Sequence, residues 1–429
     1  MQKYNNPKRE DWSELLKRPT QTVDDIEETV NQIFDEIQRN GDLAVRKYTR
    51  YFDGVVLENL SVDSTKIKSA KKELSTELIE AIQTAANNIE KFHSAQRTAP
   101  VVVETTTGVQ CWQEKRPIEK VGLYIPGGSA PLFSTILMLA IPARLAGCKE
   151  IVLCTPPNKD GEVDPAILYA ADLCGVTKIF KIGGIQAIGA MTFGTETIPK
   201  TYKILGPGNQ FVTVAKQLAT KFSVAIDMPA GPSELLVFAD QTASAEFVAS
   251  DLLSQAEHGA DSQVLLVTTS NQLLTNVEKE LELQLLKLPR KEVAQRAINN
   301  SKMILVESNE VAMELINTYA PEHFIVMSDD NDYFVEHIQN AGSVFIGDFT
   351  PESAGDYASG TNHTLPTNGY AKQYSGVNLD SFMKSMTFQK ITKDGIQNIG
   401  NAIELMAEAE GLQAHKNAVT VRLNRLKDE

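Results

Sequence analysis

The spacing of apolar residues divides the chain into a helical region followed by alternating strands and helices. From Val23 to Arg39 apolar residues recur at helical spacing, and Thr76 to Gln96 continues in the same manner. From about Arg116, short apolar runs end in glycine or proline and alternate with helix patterns. This alternation predicts parallel sheets with helices on their faces, and the tail from about Asp380 is predicted to be helical.

Two groups of strands are predicted. The first group is Lys120–Ile125, Glu150–Cys154, Lys178–Ile182 and Tyr202–Leu205. The second group is Leu235–Ala239, Gln263–Thr268, Met303–Val306, Phe324–Met327 and Ser343–Ile346. Residues 350–378 are rich in Gly, Ser, Thr and Asn, and so long a loop is more often functional than a mere connection.

Composition narrows the class of protein. The chain has 429 residues and a net charge of −14, which argues against broad nucleic-acid binding. Its four cysteines form no C-x-x-C pair, so neither a thiolate zinc site nor a disulfide framework is expected. Met1 to Trp12 has no apolar signal core, and the apolar run Pro131 to Ala146 is too short for a membrane span. A cytoplasmic protein without a membrane partner is predicted.

Four of the six histidines stand in unusual contexts. His258 follows Gln255 by three positions, so both share one face of a helix, and imidazole is a standard zinc ligand. A carboxylate binds zinc better than an amide, which favours Glu257 over Gln255, and a histidine favoured by the helix dipole remains an alternative. The other two histidines, His93 and His337, are predicted to be surface or structural residues.

Three further segments carry candidate chemistry. Glu322 and His323 are adjacent proton-transfer groups between a helix and a strand. The loop from Glu352 to His363 contains Asp356 among small residues that let backbone approach a ligand. The segment from Glu410 to His415 lies in the tail. A functional role for these residues requires the tail to dock against a folded domain, for example that of another subunit.

Two glycine-containing turns precede helices and could bind an anion. They are Gly183-Gly184 and Gly206-Pro207-Gly208-Asn209. Neither matches G-x-G-x-x-G, and neither has an acidic residue at the end of the expected next strand. The dinucleotide signal is therefore weak, and a tight turn is an equal alternative.

Taken in order, these segments resemble the histidinol dehydrogenase family. The resembling blocks are VGLYIPGGSAPLFST from Val121, GGIQAIGA from Gly183, KILGPGN from Lys203, DMPAGPSE from Asp227, ASDLLSQAEHG from Ala249, APEHF from Ala320, PESAGDYASGTNHTLPT from Pro351 and AHKNAVTVRL from Ala414. They span roughly residues 120–423, which makes them far more specific than a short motif.

The resemblance implies an NAD-dependent, zinc-requiring alcohol and aldehyde dehydrogenase of histidine biosynthesis. It would oxidise L-histidinol through L-histidinaldehyde to L-histidine. One Zn²⁺ per subunit would be held by Gln255, His258, Asp356 and, from the partner of a homodimer, His415. The acid–base pair would be Glu322 and His323. Substrate contacts would come from Ser233, Gln255, His258, His323, Asp356, His363, Glu410 and His415, and NAD contacts from Tyr124, Gln186 and Asn209.

The implied fold is α/β, with two Rossmann-like domains whose parallel-rich sheets lack the usual glycine fingerprint. Residues 1–22 would form an N-terminal helical segment. Residues 23–120 and 233–378 would form the α/β domain that carries most metal and substrate residues, and 121–232 the NAD-binding domain. Residues 379–429 would form a helical dimerisation arm that contributes to the partner's active site.

Three other functions compete with this reading. A paralogue oxidising another alcohol, such as a sulfonated diol, would keep the zinc ligands and differ at substrate contacts, where Glu410 and His363 favour histidinol. A zinc hydrolase would explain the ligands and Glu322 but not the glycine turns after strands. A non-catalytic metal-binding scaffold would leave the Glu322–His323 pair unexplained.

Overall fold

The computed structural model describes residues 1–19, 24–127, 131–229 and 231–428. Val23, where the first long helix was predicted to begin, and Gly128, in the turn after the first predicted strand, lie outside the described residues. The strands are β1 Gln2–Asn5, β2 Val101–Thr106, β3 Val109–Pro117, β4 Lys120–Tyr124, β5 Glu150–Thr155, β6 Lys178–Lys181, β7 Lys203–Leu205, β8 Ala225–Ile226, β9 Glu234–Ala239, β10 Gln263–Thr268, β11 Lys302–Leu305, β12 His323–Met327, β13 Ser343–Ile346 and β14 Met383–Ile391.

Helices separate most of these strands. They are α1 Trp12–Leu15, α2 Asp24–Asn40, α3 Asp42–Phe52, α4 Ser64–Ser69, α5 Thr76–Ser94, α6 Phe133–Ala146, α7 Pro165–Cys174, α8 Gly184–Phe193, α9 Gln210–Ala219, α10 Ala245–Ala256, α11 Asn271–Leu285, α12 Lys291–Asn299, α13 Asn309–Tyr319, α14 Asn331–His337, α15 Glu352–Tyr357, α16 Lys393–Ala409 and α17 Gln413–Lys427. Within the described ranges, no helix combines the length and apolar character that a bilayer span requires.

The chain forms two compact units. The first consists of Met1–Gln96 and Ile118–Phe382, and it contains two parallel sheets. The second consists of Arg97–Pro117 and the chain from Met383 onward. The predicted α/β class with two parallel-rich sheets is therefore confirmed, whereas the predicted domain boundaries remain a prediction.

The first sheet has the order β6-β5-β4-β7-β8, and every neighbouring pair is parallel. The order reverses between β4 and β7, so a crevice opens beside their carboxyl ends. One face is covered by α2, α8 and α9, whose apolar side chains form a continuous core with the sheet. Buried strands explain why the sequence shows short apolar runs there instead of alternation.

The second sheet repeats this order. Its strands run β1-β11-β10-β9-β12-β13, and all neighbouring pairs are parallel. Helices α10, α11 and α12 cover one face, while α1, α13 and α14 cover the other. The strands β11-β10-β9-β12-β13 thus follow the same order as β6-β5-β4-β7-β8, with the reversal between β9 and β12. The strand β1 adds a sixth strand at the edge beside β11.

The second unit joins an antiparallel sheet, β14-β3-β2, to the helices α16 and α17. The prediction of an all-helical tail is wrong at β14, because α16 begins only after Thr392, whose hydroxyl accepts the Gly395 N–H. In this sheet the Phe388 ring stacks on Trp112, with ring centres 5.1 Å apart.

Residues 1–22 also differ from the predicted helical segment. They begin with β1, whose Gln2–Asn5 backbone pairs with β11, and up to residue 19, where the described part of this segment ends, only short helical turns follow. Four residues are too few for either periodicity to be read from the sequence.

Candidate active site

A cavity of about 520 Å³ opens at the carboxyl edge of the first sheet. The three residues predicted to contact NAD line this one cavity: Tyr124 at the end of β4, Gln186 in α8 and Asn209 before α9. The cavity thus lies at the reversal of strand order, where open α/β sheets bind ligands.

The cavity wall is built from tightly packed turns. Gly206 has φ +132°, and a Cβ there would lie 2.0 Å from the Tyr124 carbonyl oxygen, so only glycine fits. The Tyr124 hydroxyl accepts the Gly184 N–H at 3.0 Å. Asn209 caps α9, with its Oδ1 accepting the Val212 N–H at 3.1 Å. The first residues of α8 and the cap of α9 therefore line a cavity suited to an anionic ligand.

Two polar groups in this cavity wall point to a ligand. The Gln186 Nε2 donates to Asp53 Oδ2 at 3.2 Å, while its buried Oε1 has no hydrogen-bond partner. Burial raises the pKa of the Asp53 carboxyl to about 6. Sequence reasoning missed Asp53, because it follows α3 and no motif marks it.

A second candidate site lies at the amino edge of the second sheet. His323 is the first residue of β12 and Glu322 directly precedes it, and both are buried. They lie beside the start of β9, where the Glu234 N–H donates to Glu322 Oε2 at 2.9 Å. The Glu234 carbonyl oxygen lies 3.1 Å from His323 Nδ1. The predicted acid–base pair is thus fixed by backbone groups of the adjacent strand.

Carboxylates of α15 complete this cluster. Asp356 Oδ1 lies 3.7 Å from His323 Nε2, and Glu352 Oε1 lies 3.5 Å from His323 Nδ1. His323, Glu352 and Asp356 each offer a ligand atom, and these atoms lie within 4.8 Å of one another. His323 Nε2 is buried without a hydrogen-bond partner. Oxygen and imidazole donors of this kind fit a divalent cation such as Zn²⁺.

Gln255 and His363 flank the same cluster. With its amide nitrogen facing α15, Gln255 donates to Glu352 Oε1 at 2.6 Å, and its oxygen lies 2.9 Å from the Glu234 N–H, which it shares with Glu322. His363 Nδ1 lies 2.9 Å from the Asp356 carbonyl oxygen, and its Nε2 lies 3.1 Å from Thr135 Oγ1. The structure therefore brings both residues to this cluster, and their roles as metal ligand and substrate contact remain predictions.

The remaining predicted residues of the first unit surround this group. His258 is exposed just beyond the end of α10, near enough that its charge opposes protonation of His323 and His363. Ser233 precedes Glu234, and its carbonyl oxygen accepts the Gln263 N–H at 3.1 Å.

Glu410 and His415 belong to the second unit. Glu410 follows the last residue of α16, His415 lies in the first turn of α17, and both are exposed. Their predicted roles at the metal and the substrate remain predictions.

Burial dominates the electrostatics of the second candidate site. It raises the pKa of the Glu322 and Glu352 carboxyls well above their usual range, and the negative charge of Asp356 raises both further. Burial lowers the pKa of the His323 and His363 imidazoles, which opposes the raising effect of Asp356. A cluster of buried carboxylates of this kind attracts a cation.

Sequence reasoning missed Glu352, although a signal was present. Glu352 and Asp356 are four positions apart, so a single helical turn brings both carboxylates to one face. Three cysteines, by contrast, are not activated thiols: burial raises the pKa of Cys148 and of Cys174 to about 12, and it also raises the pKa of Cys154.

The chain was compared with known proteins. Residues 16–423 match the family model described as histidinol dehydrogenase. The chain belongs to the histidinol dehydrogenase family. The predicted family is thus confirmed, and with it an oxidoreductase of histidine biosynthesis.

Individual family members cover nearly the whole chain. The histidinol dehydrogenase of Bacteroides thetaiotaomicron is 60% identical over 421 residues, which are 98% of each chain. That of Escherichia coli K12 is 51% identical over 429 residues, covering 99% of this chain and 98% of the relative. The crystal structure of the Elizabethkingia anophelis histidinol dehydrogenase superposes with a TM-score of 0.97 at 58% identity, covering 100% of this chain and 99% of the other. These relatives support the main reading over the paralogue that oxidises another alcohol.

Proposed function

We propose that this chain catalyses the four-electron oxidation of L-histidinol, through L-histidinaldehyde, to L-histidine. Two NAD molecules in succession would each accept one hydride in the cavity of the first sheet. The single observation that carries the proposal is the buried Glu322–His323 pair beside Asp356, in a chain whose relatives are named for this reaction. Because the reaction is biosynthetic and consumes NAD, we place it in the cytoplasm.

His323 serves as the general base of the alcohol step. Its Nδ1 faces the carbonyl oxygen of Glu234, so the proton of the neutral ring resides on Nδ1 and the lone pair on Nε2. The Nε2 accepts the hydroxyl proton of the substrate while the carbinol hydride leaves to NAD. Burial lowers the pKa of His323, which keeps the ring neutral and able to accept this proton.

Glu322 supports the aldehyde step. Its buried carboxylate takes a proton from water as the water oxygen bonds to the aldehyde carbon. The C=O π electrons move to the carbonyl oxygen, which takes the proton that His323 gained in the alcohol step, so the hydrate forms and His323 is neutral again. His323 takes a hydroxyl proton of the hydrate as the second hydride leaves, and the carboxylate of histidine results. Burial raises the pKa of Glu322 well above its usual range, which makes its carboxylate a stronger base toward water.

Gln255, His258 and Asp356 would hold one Zn²⁺, with His415 of the partner subunit as the fourth ligand of a homodimer. When bound, Zn²⁺ supplies a fixed positive charge that orients the imidazole and amino nitrogens of the substrate. The amide of Gln255 is buried against Glu352 and the Asp356 carboxylate borders His323, and these positions in one cluster support the assignment of both as ligands. His363, Ser233 and Glu410 would complete the substrate contacts.

The test measures NADH formed by purified, zinc-loaded protein from limiting L-histidinol and excess NAD. Two NADH per histidinol, abolished by a chelator and restored by Zn²⁺, are expected. One NADH per histidinol would mean that the aldehyde leaves and that Glu322 is misassigned. An absence of NADH would overturn the proposal.

A further inference from the structure

Glu234 connects the two proposed proton-transfer residues through its own peptide groups. Its N–H donates to Glu322 Oε2 at 2.9 Å, and its carbonyl oxygen lies 3.1 Å from His323 Nδ1. The ring of His323 therefore presents Nε2 toward Asp356, 3.7 Å away. The position of the Glu234 backbone thus determines both the tautomer and the direction of the base.

The side chain of Glu234 is anchored by a buried arginine. Arg18 Nε and Nη2 donate to the two carboxylate oxygens at 2.5 and 2.8 Å, which is the bidentate geometry of a strong ion pair. The Glu234 side chain is only 2% exposed, and that of Arg18 is 13% exposed. A third donor, the Asn368 N–H, lies 2.6 Å from the Glu234 carboxylate.

Arg18 is itself fixed to the segment that leads into Glu322. Its Nη2 donates to the Tyr319 carbonyl oxygen at 2.8 Å, and its guanidinium carbon lies 3.9 Å from the centre of the Tyr319 ring. The Tyr319 hydroxyl donates to Gln263 Oε1 at 2.9 Å. Arg18 thus joins the start of β9 to the end of α13, the two segments that carry Glu234 and Glu322.

A buried ion pair is costly to desolvate and is often retained for the geometry that it enforces. Here that geometry is the start of β9 against β12, where Leu235 lies opposite His323. A small displacement of the Glu234 peptide would release His323 Nδ1 and Glu322 together. The Glu234 carboxylate bonds to Arg18, to the Asn368 N–H and to the backbone of Glu322, and none of these is a reacting group, so its role in proton transfer is indirect.

We propose that Glu234 and Arg18 are positioning residues, which hold His323 and Glu322 in the orientation needed for proton transfer. This inference rests on the proposed function, because it assigns a purpose to the orientation of the proposed base. Neither side chain touches the reacting atoms, because Arg18 and Glu234 bond to each other and to backbone groups. Both act through the peptide groups of Glu234.

The test compares Arg18→Ala, Arg18→Lys and Glu234→Gln with the wild-type enzyme in the zinc-loaded full-length chain. Arg18→Ala is expected to lower kcat about 10- to 100-fold, with the KM for NAD unchanged. Arg18→Lys keeps the positive charge but loses the paired hydrogen bonds of the guanidinium, so it should retain part of the kcat that Arg18→Ala loses. Arg9→Ala is the matched control, because Arg9 also ties the N-terminal segment to α13, through an exposed pair with Glu314.

A double variant distinguishes a positioning role of Arg18 from a general loss of structural order in the enzyme. If Arg18 acts through His323, adding Arg18→Ala to His323→Ala should lower the residual rate no further. A similar loss in both backgrounds would overturn the proposal, as would an Arg18→Ala variant with the wild-type kcat. If Arg18→Ala fails to fold, Arg18→Lys and Glu234→Gln give the same comparison.

A spectroscopic readout works independently of turnover. With ¹⁵N-labelled histidine, the resonances missing from His323→Ala identify the His323 ring and report which nitrogen is protonated. The wild-type ring should be protonated on Nδ1, and Arg18→Ala should shift the ring toward a mixture of tautomers. An unchanged spectrum would overturn the positioning role. A wild-type enzyme that forms no NADH from histidinol would instead overturn the proposed function, and the NMR comparison would still decide the positioning role.

Discussion

The two parallel sheets have the same strand order but offer opposite edges to their candidate ligands. The first sheet uses its carboxyl edge, where the N-terminal ends of α8 and α9 line the cavity. The second sheet uses its amino edge, where α10 and α13 end beside Glu322 and His323. Strand order alone therefore does not decide which edge of a sheet becomes a site.

Helix polarity explains the difference. Helix N-termini carry partial positive charge and favour an anionic dinucleotide, whereas C-termini carry partial negative charge and favour cations. The amino edge of the second sheet adds the buried carboxyl groups of Glu322 and Glu352 and the partly buried carboxylate of Asp356 to these C-termini. One architecture thus offers one environment that suits the proposed negatively charged cosubstrate and another that suits the proposed metal ion and cationic substrate.

The largest expected effect tests whether the amino edge of the second sheet and the carboxyl edge of the first sheet have separate functions. His323→Ala should lower kcat by about 100- to 10,000-fold, because the general base is lost, while NAD binding stays unchanged. Steady-state NADH formation and calorimetric titration with NAD measure the two properties. His337→Ala is the control, since this histidine is exposed on α14. Loss of NAD affinity in His323→Ala would contradict the separation of the two sites.

The reciprocal variant is Gly206→Ala at the first sheet. The added Cβ would lie 2.0 Å from the Tyr124 carbonyl oxygen, so the cavity wall must move. We expect NAD to bind roughly 100-fold more weakly, which corresponds to about 3 kcal/mol of strain, while zinc content stays at the wild-type value.

Gly175→Ala provides the matched control for Gly206→Ala. Its φ of +80° imposes a similar backbone penalty, but the nearest atom to the added Cβ is Arg144 Cδ, at 3.2 Å on a flexible side chain. It should cost only about 1 to 2 kcal/mol of stability and leave NAD binding intact. Equal NAD affinity in both variants would refute the role assigned to the Gly206 turn.

A smaller effect on stability is expected from a buried carboxyl group of α10, the helix that ends at the amino edge of the second sheet. Burial raises the pKa of Asp251, on α10, to about 7 from a usual 3.8, so the folded state penalises its charged form. The penalty is absent below the unfolded pKa and complete above the folded pKa. Asp251→Asn should therefore stabilise metal-free protein at pH 8 by at most about 4 kcal/mol, with a gain that grows between pH 5 and 7.

Denaturant unfolding at several pH values measures this gain. Asp172→Asn is the control, because Asp172 is exposed on α7 and its charge stays in water. A gain in Asp251→Asn that does not depend on pH would show that the buried charge is not its source.

The smallest expected effect concerns a buried histidine of the first unit. Its burial lowers the stability of the folded state at acid pH, whereas the burial of Asp251 lowers it at higher pH. His93, on α5, is fully buried with Nδ1 3.1 Å from Gln96 Oε1, and burial lowers its pKa. The unfolded chain therefore binds a proton first as pH falls through the unfolded pKa of about 6.5, and the folded state loses stability there. His93→Gln should flatten this acid-side loss by about 2 °C in Tm, as measured by thermal unfolding between pH 8 and 5.5. The exposed variant His337→Gln should keep the wild-type slope.

The sequence predicted most of the parallel strands because buried strands leave continuous apolar runs. Leu235–Ala239 was predicted, and β9 begins one residue earlier at Glu234. It did not predict β14, where lysines interrupt the alternation on a half-exposed strand. Nor could it reveal that the site lies at the amino edge, because strand order and neighbouring helices are properties of the assembled fold.

The candidate site was predictable in part. Glu322 and His323 were found from their adjacency, and local chemistry alone favoured Glu257 over Gln255 until the family resemblance reversed that choice. In the structure the Gln255 side chain is buried against Glu352, whereas Glu257 is partly exposed. Arg18 escaped notice because its partner, Glu234, lies 216 positions away in the sequence, and pairs so distant leave no local pattern.

The strand β1 has a consequence for the order in which the molecule assembles. Gln2 pairs with Lys302, so this segment waits for about 300 further residues to be made before its hydrogen-bonding partner exists. During translation its unpaired backbone is a strand edge open to unwanted pairing, and such long-range closure slows folding. The strand that comes first in chain order can therefore join the second sheet only after β9, β10 and β11 have been made, so this sheet cannot close strand by strand as the chain emerges.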